Sequence, residues 1–259
     1  MGDKRPLAGG TGGKSGRVSS SGIRSLVGRH DLLGWAHSTQ SARIDAVTAT
    51  RPEPATLVGR FVRLEPLTPE HLPALFAAIG HSNVFAFGFG GGLIEPPDTE
   101  DAFTDWAMGH LEWGRGNPSA VRLVGGPHDG DVVGTTTLGD FDLQREAVHI
   151  GWTGYDPRVW STAVNPEAKL LLLGLAFDHG FGRVKIQTDA LNLRSQAAIA
   201  KLGAAFEGVV RRDQPRQDGS WRDTAVFSII IDDWPAVRAR LEERLASFEG
   251  RPVLFRTSA

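Results

Sequence analysis

The stretch DPRVWSTAVNPEAKLLLLGLAFDH, residues 156–179, decides how the chain is read. It reads as a strand end, a tight loop and then a buried helix. Asn165 is a favourable N-cap and Pro166 a favourable first helical residue, because the N–H that proline lacks has no helical partner there. Glu167 places a negative charge near the positive end of the helix dipole. Ala168, Leu170, Leu171, Leu172, Leu173, Leu175, Ala176 and Phe177 then cover nearly the whole circumference, which predicts a helix buried on most sides. The first helical turn, and the loop Trp160–Val164 before it, leave main-chain N–H groups without helical partners. Such a start can hold phosphate oxygens; the competing reading is a structural helix packed on a sheet.

On the C-terminal side, Arg183–Asp189 (RVKIQTD) alternates as a strand, and Asn192–Leu202 is a short helix closed by Gly203. Phe206–Arg212 and Thr224–Ile231 form a final hairpin whose connector, DQPRQDGSWR, contains an Asp-Gly turn. Asp232 or Asp233 caps a last helix carrying Val237, Leu241, Leu245 and Phe248. On the N-terminal side come three antiparallel strands, about Ala120–Val124, Val132–Leu138 and Ala147–Thr153, the first two joined by the turn His128–Asp131. In the third, Val148, Ile150 and Trp152 face one way and His149, Gly151 and Thr153 the other. Earlier still, Phe61–Glu65 alternates as a strand. Thr68-Pro69-Glu70 caps a helix with Leu72, Leu75, Phe76 and Ile79 on one face and Gly80 at its end. Asp98 caps a second helix running to about Trp113. Between these two helices, HSNVFAFGFGGGLIEPP (residues 81–97) reads as an irregular loop, rich in glycine and aromatics, suited to line a cleft.

The remaining observations bound the function. Of 259 residues, 41% are hydrophobic and 22% charged, and mean hydropathy is −0.18, which suits one buried core of roughly 150–200 residues plus appendages. The net charge of −2 offers no global basic field for nucleic acid or an anionic membrane. The absence of cysteine excludes disulfides, thiolate metal sites and a cysteine nucleophile, and is compatible with a reducing cytoplasm. No apolar run approaches the ~20 residues of a membrane span, and the first residues lack the hydrophobic core of a signal peptide. Residues 1–22 are Gly/Ser-rich and basic and read as disordered, and residues 23–50 carry Ile23, Leu26, Leu32, Leu33 and Trp35 with no sustained period, as marginal helix or coil. Residues 1–50 are thus read as a disordered or poorly packed extension and residues 51–259 as one domain. Ala8–Ser15 fits a relaxed phosphate-loop pattern, but no buried strand precedes it and no apolar helix follows, so it is read as a chance match. The native start is placed near Val47.

Several segments together match a family. They are His149-Ile-Gly-Trp-Thr153, Trp160 through Lys169, Asn192-Leu-Arg-Ser195 followed by Lys201-Leu-Gly203, and Phe206-Glu-Gly208 with the strand through Phe227 and Ser228. In this order and spacing, residues 57–248 resemble the GNAT superfamily of acyl-CoA N-acyltransferases, and within it the RimJ/RimL-type ribosomal-protein N-terminal acetyltransferases. The resemblance implies an α/β (α+β) fold with a mixed, mostly antiparallel central sheet, helices on both faces and a splayed parallel strand pair. It implies acetyl-CoA as acyl-donor substrate, its pantetheine arm lying between those strands against Gly151, Trp152 and Thr153, like an added strand. The pyrophosphate would lie on the loop Trp160, Ser161, Thr162, Ala163, Val164 and Asn165, and Asn192 and Ser195 would flank the arm. One departure stands out: Ala163 replaces the central glycine of the family's loop, and a left-handed backbone there would cost alanine about 1–2 kcal/mol.

The resemblance further implies direct attack of an amine on the thioester, a main-chain N–H near Trp152 or Thr153 polarising the carbonyl, an acid for the thiolate and a base for the amine. Many relatives carry a tyrosine seven residues after the motif asparagine; that position is Ile199 here, so Ser195 is the better acid, and the sole tyrosine, Tyr155, has no assigned place. For the base, the pattern points to Asp213, adjacent to Gln214, with His149 as the alternative because imidazole titrates near neutrality. An N-terminal amine is already partly neutral, so a water relay can also serve. The histidines show no metal-ligand spacing, and no metal is expected. Arg211, Arg212, Arg216 and Arg222, interleaved with Asp213, Asp218 and Asp223, are either a solvated hairpin or a grip on the carboxylates or backbone of a peptide acceptor. The expectation is an acetyl-CoA-dependent N-acetyltransferase acting on a protein N-terminus or a small-molecule amine in the cytoplasm, with a homodimer left open. The alternative is a non-catalytic CoA-binding or regulatory module of the same fold.

Overall fold

A computed structural model describes residues 48–87 and 89–257. The Ala8–Ser15 glycine run, the apolar residues 23–35 and, of the extension expected over residues 1–50, residues 1–47 lie outside the described residues. Eight strands make one sheet: β1 (Leu57–Val58), β2 (Val62–Pro66), β3 (Asn117–Leu123), β4 (Val132–Asp142), β5 (Ala147–Tyr155), β6 (Arg183–Asp189), β7 (Ala205–Pro215) and β8 (Trp221–Ile230). Their spatial order is β1-β2-β3-β4-β5-β6-β8-β7. Every neighbouring pair is antiparallel except β5–β6. The helices are α1 (Leu72–Ile79), α2 (Ser82–Phe85), α3 (Glu100–His110), α4 (Val164–Asp178), α5 (Leu193–Leu202) and α6 (Trp234–Ala246).

Strand alternation builds two cores, one on each face of the sheet. Val121, Leu138, Val148, Ile150 and Val184 pack with Leu172, Leu173 and Ala176 of α4 and Val237 and Leu241 of α6. Ala120, on the opposite face from Val121, packs with Leu72, Leu75 and Ile79 of α1 and Phe103 and Ala107 of α3. Thr48–Thr50 lie against the first core: Ala49 is buried, and the Thr50 N–H donates to the His179 carbonyl at 2.9 Å.

Four local readings change. α4 starts at Val164, with Ala163 rather than Asn165 as its helical boundary and no side-chain cap; Pro166 still falls in the first turn, where an N–H is dispensable. α3 is capped by Thr99, whose side chain accepts the Ala102 N–H, rather than by Asp98, and it ends at His110. The 81–97 loop contains one helical turn, α2. The alternation in β5 fails at Trp152: between the pairs Thr135↔Gly154 and Thr137↔Gly151, one β4 residue opposes two on β5. This is a β-bulge, with Trp152 at φ +46, and it sends Trp152 to the α1–α3 core while Thr153 turns toward α4. By contrast β6 keeps the expected limits, and α5 has the Asn192 cap and a left-handed Gly203 at its end.

Candidate active site

The parallel pair β5–β6 is hydrogen-bonded only at Ala147↔Arg183, Val148↔Val184 and His149↔Lys185. Beyond that point Ile150–Tyr155 and Ile186–Asp189 have no ladder between them, although the outer edges of both strands stay paired, to β4 and β8. The result is a wedge open toward the strands' C-terminal ends. It forms part of a cavity of about 650 Å³ that also takes in the loop before α4, one side of α5 and the 81–97 loop. Its free strand edge is a template for an extended amide chain.

At the far end of β5, Trp160, Ser161, Thr162, Asn165 and Pro166 line the cavity. Among the described residues, the N–H groups of Ser161, Ala163 and Asn165 have no hydrogen-bond partner, whereas the Thr162 N–H reaches the Val159 carbonyl at 3.3 Å and the Val164 N–H the Thr162 hydroxyl at 3.4 Å. The left-handed residue of this loop is Ser161, at φ +64. Ala163 has φ −69, so its methyl group carries no backbone strain, and it is buried behind the loop with Val164. The Arg194 guanidinium from α5 stacks on the Trp160 ring at 3.5 Å, and Lys201 and Arg244 also line the cavity. Open amides at a helix start beside three cations suit a polyphosphate.

At the closed end of the wedge, His149 donates from Nδ1 to Asp140 Oδ2 at 3.0 Å. Its Nε2 is buried and has no partner among the described residues, and the ring lines the cavity. Burial lowers the His149 pKa below the ordinary imidazole value; Asp140 pulls it back up, and Lys185 and Lys169 push it down. The ring is therefore a neutral acceptor with its tautomer set by Asp140. It lies against Gly151, where an added Cβ would fall 2.5 Å from His149 Cε1, so only glycine lets the strand pass under the imidazole.

Beneath the bulge, Lys169 of α4 is buried with Nζ 2.8 Å from Thr153 Oγ1 and 3.1 Å from Thr136 Oγ1. Desolvation drops its pKa to about 7. The Thr153 hydroxyl is also 3.2 Å from the Gly151 carbonyl, so this network braces both sides of Trp152. Ser195 lines the cavity at the start of α5, its N–H held by the Asn192 side chain at 2.9 Å. The Tyr155 hydroxyl, also at the cavity, is buried without a partner among the described residues, and burial raises its pKa. Asp213 stands elsewhere: it is exposed on β7, accepts from the Thr224 hydroxyl at 2.6 Å and does not line the cavity, whereas Gln214 does.

The Acetyltransferase (GNAT) domain family matches residues 62–205. This chain belongs to the GNAT acetyltransferase family. A solved protein from T. thermophilus, provisionally described as an acetyltransferase, is 34% identical over 76% of this chain and 100% of its own, with a TM-score of 0.67. A GCN5-related N-acetyltransferase from Brucella melitensis is 27% identical over 82% of this chain and 96% of its own, with a TM-score of 0.71. Mycobacterium smegmatis RimJ, solved with CoA-disulfide, shares the fold at 21% identity over 75% of this chain and 97% of its own, with a TM-score of 0.59. Among curated proteins there is no match. Acetyl transfer from acetyl-CoA is the general activity of a GNAT acetyltransferase; the acceptor is a separate question.

Within this GNAT domain, His149, Gly151, Trp152, Thr153, Trp160, Ser161, Thr162, Asn165, Asn192 and Ser195 line one cavity, while Ala163, Val164 and Asp213 do not. Asp140, Lys169, Arg194 and Tyr155 complete the site and carry weak sequence signals. Asp140 is nine residues from His149 and meets it only because β4 and β5 are neighbours. Lys169 reads as an interruption of an apolar helix, which was the available clue. No helix among the described residues is long and apolar enough to cross a membrane, and no group of His, Cys, Asp and Glu among them is arranged to hold a metal ion.

Proposed function

We propose that this GNAT protein is an acetyl-CoA-dependent N-acetyltransferase of the RimJ/RimL type, acting on a primary amine at a protein N-terminus or on a small molecule. The observation that carries the reading is the wedge between β5 and β6 with the unpartnered His149 Nε2 at its closed end. The donor's pantetheine arm pairs with the free edge of Ile150–Tyr155, and its pyrophosphate lies on the open amides before α4, beside Arg194. A main-chain N–H of the Trp152–Thr153 bulge polarises the thioester carbonyl. The amine reaches the carbonyl carbon, His149 Nε2 takes its proton while Asp140 holds the ring, and the C–N bond forms as the C–S bond breaks. The Ser195 hydroxyl, at the cavity wall, supplies the departing thiolate with a proton.

Calorimetric titration with acetyl-CoA, followed by a free-thiol assay over a panel of primary amines, tests this reading. The expected result is saturable binding and amine-dependent thiol release, with His149→Gln lowering kcat/KM by about 10²-fold while donor affinity holds. Binding without release from any amine would make the protein a CoA-binding module instead. Neither binding nor release would reduce the wedge to a structural feature.

A further inference from the structure

The acceptor half of the cavity has a roof and a charged wall that the transfer step leaves unused. The 81–97 loop and the β7–β8 turn meet there: the Gln217 N–H donates to the Gly92 carbonyl at 3.0 Å. Gly92 itself sits at φ +103, and an added Cβ would fall 2.7 Å from the Pro215 carbonyl oxygen. Phe87, Phe89, His110 and Trp152 line the space below this roof. An aromatic chamber of this kind takes the apolar body of an acceptor.

Arg222, at the start of β8 opposite Gln214, lines the same cavity. Its guanidinium makes no hydrogen bond among the described residues, and Nε is buried without a partner. Two acids, Asp189 and Asp213, favour its charge through space, but neither is bonded to it. Asp189, nearly fully buried, accepts the Leu191 N–H at 2.8 Å with one oxygen and Arg216 with the other. Asp213 takes the Thr224 hydroxyl. Arg222 thus presents a planar fork of donors, still cationic although burial lowers its pKa, toward the space where the acceptor enters. A partly buried cation with unused donors gains once a carboxylate fills its open donors.

We propose that Arg222 forms a carboxylate subsite, so that the acceptor is an amine that also carries a carboxylate, either an amino acid or a peptide with an acidic side chain near its N-terminus. The inference rests on the acetyltransferase reading for the amine, but the subsite can be read by binding alone. The decisive experiment titrates matched pairs into the CoA-saturated protein: L-phenylalanine against phenethylamine, and an N-terminal Ser-Asp tripeptide amide against its Ser-Asn counterpart. At least one carboxylate-bearing member should bind about 10- to 100-fold tighter than its partner, and the pair that responds identifies the source. In Arg222→Gln that preference should collapse to about one, and Arg222→Lys should retain part of it. Equal affinity within both pairs, or a preference that survives Arg222→Gln, would overturn the subsite. Thiol release from the same solutions reports separately on acetyl transfer, so a carboxylate preference without turnover would remove the enzymatic reading and leave the subsite standing.

Discussion

Glu167 and Lys169 lie on the first turns of the same helix, 3% and 4% exposed, yet the fold satisfies them in opposite ways. The Glu167 carboxylate accepts three main-chain N–H groups, from Arg60 at 2.9 Å, Phe61 at 2.6 Å and Val62 at 2.7 Å. Those donors span the turn after β1 and the first residue of β2, so the carboxylate staples the sheet's first strands to α4. Glu167 lies near the positive end of the helix dipole, but its stronger bonds are to main-chain groups about a hundred residues away. Lys169 has no counter-charge among its hydrogen-bond partners, only the hydroxyls of Thr136 and Thr153, and it faces the cavity. A buried charge with a full set of partners serves the scaffold, and one left partly satisfied marks the functional side of the helix.

The largest expected effect is on the scaffold side. Glu167→Ala strands the Phe61 and Val62 amides in the core without acceptors and opens a gap beside Gly59, where an added Cβ would fall 2.4 Å from the Glu167 carboxyl carbon. The loss should be about 3–5 kcal/mol, read as a lower midpoint in urea unfolding. A loss below about 1 kcal/mol would mean the turn finds other partners, and the contrast with Lys169 would disappear.

Lys169→Met should give the reverse sign, and pH separates the two residues. The folded pKa of about 7 lies below the unfolded lysine value, so between the two the unfolded chain binds more protons and stability rises with pH. The cost of the buried ammonium is fully present below pH 7 and is relieved as pH climbs. Wild-type stability should therefore gain roughly 3 kcal/mol relative to Lys169→Met between pH 6 and pH 9. The hydroxyls of Thr136 and Thr153 already share a hydrogen bond at 2.8 Å, which can persist once the amine is gone. Parallel stability curves for the two proteins across this range would show that Lys169 does not titrate near neutrality.

The same contrast explains what could be read from the chain beforehand. β6, the Asn192 cap and Gly203 follow from local alternation and local hydrogen bonds, so the sequence carries them. The buried α4 follows from composition, but its first residue does not, because Ala163 has no capping side chain and Pro166 suits several first-turn positions. The wedge is legible only through family resemblance: nothing in Ile150–Tyr155 says that a parallel neighbour stops pairing after His149. The bulge at Trp152 has no signal at all, since a tryptophan at positive φ is a product of its surroundings. Asp140 and Arg222 reach the cavity through strand neighbours, and Lys169 through packing, which single-sequence periodicity does not encode.

The smallest effect tests the loop that precedes α4. Arg194 is exposed and stacks on Trp160 at 3.5 Å, a contact worth about 0.5–1 kcal/mol at such sites. Arg194→Ala should consequently change the melting temperature by no more than a few degrees. The same guanidinium stands beside the unpartnered amides of Ser161, Ala163 and Asn165, so its removal should weaken acetyl-CoA binding by about 3- to 10-fold, with the difference shrinking at high salt as phosphate contacts are screened. Glu167, Lys169 and Arg194 would then fall in one series around the start of a single helix, from a charge that holds the fold, through one the fold tolerates, to one that acts only when the donor arrives. If Arg194→Ala instead left donor affinity unchanged at low salt, its stack on Trp160 would belong with the scaffold, and the polyphosphate would have to be held by the main-chain amides and by Lys201 and Arg244.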